Sequence, residues 1–447
     1  MSDPIVELGG FGGRERETVL GRSVGDLSQI RAALEEGGTW ALRGAGKSYG
    51  DACYGPRVLM LDGLHQITNW DPASGVVECD AGVTLAQLWR AVISDGWWLP
   101  VVTGTAKITV GGAFAMNVHG KNHWKAGCFA EHVLSVRWLT PDGELRELHR
   151  GTPEFDAASG SAGLLGVAVS LTIQLKKVAT HQLHVFCLRT DSLEESLAQV
   201  DAEAHSKDYS VGWLDLYRRG RGVVHAAEYT QARPDTVLQV LEPATRILGV
   251  SKSELWKPMR WFARGRRMSL VNLAKYTMTR DDVFDQYLAD FSFLLDSAPG
   301  WEQAYQQGGG FVQFQPFVPK EAALGVFEQL IRMQGSAGLV SHLAVLKRHR
   351  AAGGLFPYCV DGFSLAMDFQ WREGLDALLR EMTKIVLDAG GKFYLAKDSI
   401  MTPAEARRSY GEESLERYRE FKSRWDPTGV LATAQSDRLG LTVPTAV

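Results

Sequence analysis

The feature that most constrains this chain is a glycine loop set between two strands. Arg43 to Asp51 reads RGAGKSYGD, with the apolar run TWALR leading into it and RVLMLD following soon after. Glycines in such a loop let backbone N–H groups approach an anion closely. The Gly-Lys-Ser core is the ending of a P-loop, but a P-loop needs a further glycine five residues before Gly46, where this chain has Ala41. The dinucleotide fingerprint fails too, because its third glycine would fall on Tyr49. Both motifs also require a helix straight after the glycines, and here a turn and a strand follow. The loop keeps the physics of anion binding without either nucleotide-binding frame. Taken alone, it is equally compatible with a surface turn.

A second glycine-rich passage extends the idea. Thr103 to His132, TGTAKITVGGAFAMNVHGKNHWKAGCFAEH, holds Gly104-Thr105, Gly111-Gly112 and the run His119-Gly120-Lys121-Asn122-His123. The SAGLLG stretch, Ser161 to Gly166, adds a fourth such element. A single phosphate would not need so many N–H donors, whereas a long dinucleotide with a central pyrophosphate would.

Around these loops, residues 1–177 read as one α+β unit. A short amphipathic helix over Ser23 to Leu34, strands in quick succession, a helix over LAQLWRAVISDG and a hairpin turned by Pro141, Asp142 and Gly143 make it up. Beyond Lys177 the texture changes. LHVFCLR, YSVGWLDLY, GGFVQFQPFVP, HLAVLKRH and GFSLAMDF read as strands, with helical patterns at Glu321 to Met333 and Gly374 to Leu387. Antiparallel strands with helices on one side predict a second α+β domain, 178–390, that offers a sheet face to a ligand. Gln313 and Gln315, two apart in FVQFQPF, point from one strand face. The stretch 391–447, from KFYLAKDS through YREFKSRWDPTGVL, is expected to be helical and to return to the first unit.

Bulk properties narrow the function. The net charge of −4 gives no basic field for nucleic acid. The five cysteines are scattered without a C-x-x-C pair, which argues against a disulfide framework or a metal site and for a reducing compartment. The N-terminus lacks the pattern of a secretory signal, so a cytoplasmic protein is expected. One segment stands apart. Ser251 to Tyr276 holds Lys252, Lys257, Arg260, Arg264, Arg266, Arg267 and Lys275 against the single acid Glu254, interleaved with Trp256, Trp261, Phe262 and Leu270. That mixture suits contact with an anionic lipid surface or a phosphorylated substrate, and equally a helix packed on its own domain.

The order R-G-x-G-K-S-Y-G-D, T-V-G-G-A, H-G-K-N-H, G-L-x-G and Y-x-A-K-D-S resembles the flavin oxidoreductases of the vanillyl-alcohol oxidase superfamily, with a PCMH-type FAD-binding domain. The nearest resemblance is to the bacterial decaprenylphosphoryl-β-D-ribose 2′-oxidases. It implies a bipartite FAD-binding domain, 1–177 plus 391–447, with an α+β substrate domain, 178–390, inserted on an antiparallel sheet. It implies FAD held by Arg43, Gly44, Ala45, Gly46, Lys47, Ser48, Tyr49 and Gly50. Gly104, Thr105, Gly111, Gly112, Ala113, Asn117, His119, Gly120, Gly163, Val167 and Tyr394 would continue that lining. Many relatives attach flavin covalently through a histidine where this chain has Lys47, so non-covalent FAD is expected.

The same resemblance implies that Lys397, His119 and Tyr49 carry the chemistry. Lys121, Trp213, Gln313, Gln315, Ser364 and Lys397 would hold the substrate, with Lys121 on a phosphate. The expected reaction oxidises a secondary alcohol of a sugar, a polyprenylphosphoryl pentose, by taking a hydride from the carbon that bears the hydroxyl. A separate NAD(P)-dependent reductase would then complete an epimerisation, and residues 251–276 would touch the membrane surface. Ser364 and Ala366 depart from the asparagine and cysteine of mycobacterial relatives, which alters how a sugar is held. Two rivals stay open: an oxidase of soluble alditols or aldonolactones, and a flavin-binding scaffold without catalysis.

Overall fold

The computed structural model describes residues 3–231, 237–241, 246–247, 250–262, 267–306 and 308–442. The strands flanking the glycine loop, Ala41–Arg43 and Arg57–Met60, lie side by side and parallel, and Arg16–Ser23 and Ile5–Gly9 extend them into a four-stranded sheet. The glycine loop is therefore the crossover between parallel neighbours. The helix Leu27–Glu35 covers this sheet with Ile30, Ala33 and Leu34. Asp26 caps it by accepting from the Gln29 N–H, a contact worth about 1 kcal/mol.

A second, five-stranded antiparallel sheet runs in the order Ile67–Asp71, Val76–Asp80, Val167–Gln174, Val133–Leu139, Leu145–His149. Its last two strands form the expected hairpin, closed by the Thr140 N–H on Glu144 O. The helix Leu85–Val92 starts at a reciprocal Thr84–Gln87 cap and buries Leu85, Leu88, Trp89 and Val92.

The third sheet has nine strands, antiparallel throughout, with Gly362–Gln370 near its middle. That strand is buried along nearly its whole length. Helices Leu193–Ser206 and Lys320–Ala337 cover one face, and the other faces a cavity. Leu375–Asp388 packs beside Lys320–Ala337 and against the strand Pro316–Pro319.

The chain's end is helical as expected except at its start. KFYLAKDS is a two-residue strand, Lys392–Phe393, paired with Pro316–Pro319 and followed by a turn in which Lys397 and Asp398 donate to Tyr394 O. The helices are Pro403–Tyr410, Glu412–Trp425 and Ala434–Arg438. The last of these helices and the segment before it return to the first sheet and its loop. Trp40 bridges Leu431, Arg438 grips Asp51 at 2.7 and 2.8 Å, and Gln435 N donates to Asp51 O. Lys422, only 2% exposed, donates to Asp426 at 2.6 Å and to the carbonyls of Leu164 and Leu431.

Within Ser251 to Tyr276 the structure gives a helix Trp256–Phe262 and the first turns of Met268–Met278. Arg264 and Arg266 lie outside the described residues. Among the described residues no helix is long and apolar enough to cross a membrane.

Candidate active site

A cavity of about 530 Å³ lies between the glycine loops and the open face of the large sheet. Gly44 to Tyr49, Gly104, Thr105, Gly111, Gly112 and Gly163 form one side. The backbone comes close because the glycines are packed from behind. A Cβ on Gly44 would stand 2.4 Å from Thr109 Oγ1, and one on Gly111 would stand 2.7 Å from Ala81 Cβ. Gly111 and Gly112 are not a loop but the first turn of the helix Val110–Ala115, which Thr109 caps by accepting from the Gly112 N–H at 3.1 Å. Gly46 and Gly163 have φ of +61° and +76°, a region open to glycine at little cost. A run of exposed backbone beside apolar Leu42, Ile108, Ala162 and Trp138 fits a long dinucleotide lying along this wall.

The other side comes from strands read at period two. Val211 and Trp213, Leu343, Val345 and Lys347, Ala366 and Asp368, and Gln313 and Gln315 all turn to the cavity from alternate positions. Lys397 enters from the turn after Lys392–Phe393. Its Nζ lies 3.8 Å over the Tyr49 ring. Loss of water pushes the Lys397 ammonium down to about 7, with Asp368 opposing the shift and Lys347 adding to it. Asp368 is pushed up to about 6 by burial, against the Gln313 amide at 2.6 Å and the charge of Lys397. Burial holds the Tyr49 phenol far above its ordinary range, so it stays protonated at neutral pH.

His119 also faces the cavity, with Nε2 3.3 Å from the Gln315 amide nitrogen. Burial first, then the charge of Lys347, keeps its imidazole neutral. Gln315 donates as well to Ser364 Oγ at 3.1 Å, and Ser364 Oγ meets His349 Nε2 at 2.8 Å. Ser364 thus stands behind the wall as the anchor of Gln315. Tyr394 stacks on Tyr358 with centroids 4.1 Å apart, and its hydroxyl is buried.

Eighteen of the residues singled out in the sequence line the cavity: Gly44 to Tyr49, Gly104, Thr105, Gly111, Gly112, His119, Lys121, Gly163, Trp213, Gln313, Gln315, Tyr394 and Lys397. Seven stand behind it. Arg43 donates to Gly9 O and Cys53 O. Gly50 meets the C-terminal turn, where a Cβ would lie 2.2 Å from Asp398 O. Asn117 accepts from the Ala130 N–H, Gly120 presses on Val102 O, Ala113 and Val167 are core, and Ser364 is the anchor just described. Thr105 spends its hydroxyl on Asp296 at 2.7 Å. Lys121 spends two of its donors on Phe291 O and Ser292 O, at 2.8 and 2.9 Å, which leaves one for a ligand. Sequence reasoning missed Asp368, Lys347 and His225, and placed Lys275 only in the basic segment; the one available signal was a lone charge at the cavity-facing period of LAVLKRH and SLAMDF.

Similarity to known proteins agrees with this geometry. A family model described as an FAD binding domain matches residues 18–149. Decaprenylphosphoryl-beta-D-ribose oxidase of Mycolicibacterium smegmatis is 31% identical over 430 residues, 92% of each chain. The chain belongs to the FAD oxidoreductases of the vanillyl-alcohol oxidase superfamily. A protein from Streptomyces coelicolor, described as uncharacterized in the mprA 5′ region, is 31% identical over 80% of this chain and its own full length. Alditol oxidase from a Streptomyces species is 30% identical over 40% of this chain and 44% of its own. The fold is that of the superfamily, the cofactor is FAD, and the protein is an FAD-dependent oxidoreductase acting on CH–OH groups.

Proposed function

We propose that this enzyme oxidises the 2′-hydroxyl of a polyprenylphosphoryl pentose to a keto sugar, the first half of an epimerisation. The observation that carries this is the extent of similarity: the ribose oxidase aligns along 92% of the chain, the alditol oxidase along 40%. The substrate face of the large sheet therefore falls inside the first alignment.

FAD, when bound, accepts the hydride of the sugar carbon. Backbone N–H groups of Gly44 to Ser48 and Gly104 would hold its pyrophosphate, while Gly111 and Gly112, whose own N–H groups are spent on Ala81 O and Thr109 Oγ1, would let it approach closely. Lys47 offers no imidazole for covalent attachment, so the cofactor is held by contacts alone. At neutral pH a large share of Lys397 is the free amine, which accepts the proton of the substrate hydroxyl as the hydride departs. The Tyr49 ring and the Asp368 carboxylate favour the resulting ammonium. Tyr49 keeps its own proton and serves as a platform. Gln315, fixed by Ser364, orients neutral His119 toward the sugar. Lys347, with the remaining donor of Lys121, gives the pocket the positive charge a substrate phosphate needs.

The lipid tail would leave beside Trp301, whose neighbours Trp256, Met259 and Met268 belong to the basic aromatic segment. Trp261 and Leu270 on that segment are 55% and 61% exposed, and Lys252, Lys257, Arg260 and Arg267 supply cations. This face would rest on an anionic bilayer surface, and a nicotinamide-dependent reductase would consume the keto product. The test is anaerobic mixing of the FAD-loaded enzyme with a short-chain polyprenylphosphoryl-β-D-ribose, and separately with a soluble alditol. Bleaching of the flavin by the first alone is expected; bleaching by the alditol alone overturns the assignment.

A further inference from the structure

The cysteines show no metal-binding spacing in the sequence, yet the fold carries two of them to one histidine. His123 opens the short helix His123–Ala126, and Cys128 follows the Gly127 turn that ends it. Cys359 arrives from the connection between Leu343–His349 and Gly362–Gln370. A ring nitrogen of His123 and the sulfurs of Cys128 and Cys359 all lie within 4.8 Å of one another. His123 Nε2 stands 3.3 Å from Cys128 Sγ. All three are buried, at 1%, 1% and 4% exposure, and both cysteines are free thiols.

A lone buried cysteine behaves as a small apolar side chain and needs no partner. Two thiols converging on one imidazole are a different object, because two sulfurs and a nitrogen are the donor set of thiophilic d10 ions. The spacing agrees. Ligand bonds of about 2.0–2.1 Å to nitrogen and about 2.3 Å to sulfur, at a tetrahedral angle, put the two atoms about 3.5 Å apart. The observed 3.3 Å needs only a small outward movement.

We propose that His123, Cys128 and Cys359 form a binding site for a thiophilic d10 ion, Zn²⁺ or Cu⁺, which clamps the 350–361 connection of the large sheet to the His119–Cys128 segment behind the cavity wall. Loading releases the protons of both thiols to solvent, so affinity falls as pH falls. Three protein donors in a closed pocket satisfy Cu⁺ directly. Zn²⁺ takes a fourth ligand, for which a water would serve, since the Tyr358 hydroxyl beside Cys128 Sγ donates to Asn117 O at 2.7 Å. The role is structural. Cys128 is bridged by backbone to His119, and the His123 ring lies 4.7 Å from that of His349. An ion here therefore fixes the two imidazoles that stand against the Gln315–Ser364 pair.

The experiment uses the full-length, FAD-loaded protein, made without a polyhistidine tag and purified under reducing conditions without chelator. Elemental analysis is expected to return about one zinc or copper per chain, and its identity distinguishes the two ions. Exchange with Co²⁺ is expected to add the absorption of a tetrahedral thiolate site in the red, beyond the flavin bands. That absorption should be lost in Cys128→Ser and Cys359→Ser, with retained FAD reporting that each variant is folded. A metal-free wild type that gives no Co²⁺ absorption overturns the proposal without recourse to any variant. So does a Cys128–Cys359 disulfide in the unreduced protein, or Co²⁺ absorption that survives Cys359→Ser.

Discussion

Lys397 Nζ lies 3.8 Å above the Tyr49 ring, and the backbone tightens the same pairing, since the Tyr49 N–H donates to Ala396 O at 2.9 Å. The glycine loop and the C-terminal turn are therefore joined at the residues on which the proposed proton transfer depends. Burial favours the amine, the Asp368 charge opposes it and the Lys347 charge adds to it, which puts Lys397 at about 7.

That balance predicts the pH dependence of flavin reduction by substrate. A depressed lysine works as a base only above its own pKa, so the rate of single-turnover reduction should fall about tenfold per unit below about pH 7. Asp368→Asn removes the charge that opposes the depression, so the acid limb should move to lower pH. Stopped-flow reduction across the range checks both; a limb that moves upward in Asp368→Asn contradicts the assignment.

The glycine wall predicts which cofactor contacts fail. Gly50→Ala drives a methyl to 2.2 Å from Asp398 O, and Gly111→Ala drives one to 2.7 Å from Ala81 Cβ. Both obstacles are rigid parts of the fold. Each change should cost about 1–3 kcal/mol and loosen FAD, read as cofactor content after dialysis and as a lower melting temperature.

Lys47 in place of a histidine predicts that acid precipitation releases all flavin colour to the supernatant. Colour retained in the pellet would require attachment through another residue.

Lys422 predicts where stability is concentrated. Its ammonium is shared by Asp426, Leu164 O and Leu431 O, all buried. Lys422→Met leaves the Asp426 charge without its cation and should destabilise the protein by about 3–5 kcal/mol, measured by denaturant unfolding. Flavin reduction by substrate in the surviving folded fraction should be unaffected.

Much of the site was legible because it is local. Glycine loops declare themselves by composition, and Gln313 with Gln315 by period two. Lys347 and Asp368 obey the same period, but a single charge in an apolar strand reads as an edge feature until its neighbours are known. Arg221–Tyr229 escaped because Ala226 and Ala227 lack the branched side chains that mark strands. The KFYLAKDS turn imitates a helix by propensity, and pairing with Pro316–Pro319 overrides it. The His123–Cys128–Cys359 cluster had no local signature at all, since it exists only where two distant segments pack.

The most direct test of the account is rapid anaerobic mixing of the Lys397→Met enzyme with the polyprenylphosphoryl-β-D-ribose. Lys397→Met keeps the length of the side chain and removes its nitrogen. Full FAD content and a bleaching rate reduced at least about a hundredfold from wild type are expected. Flavin bleached at the wild-type rate in a fully loaded variant would contradict this and remove Lys397 from the chemistry.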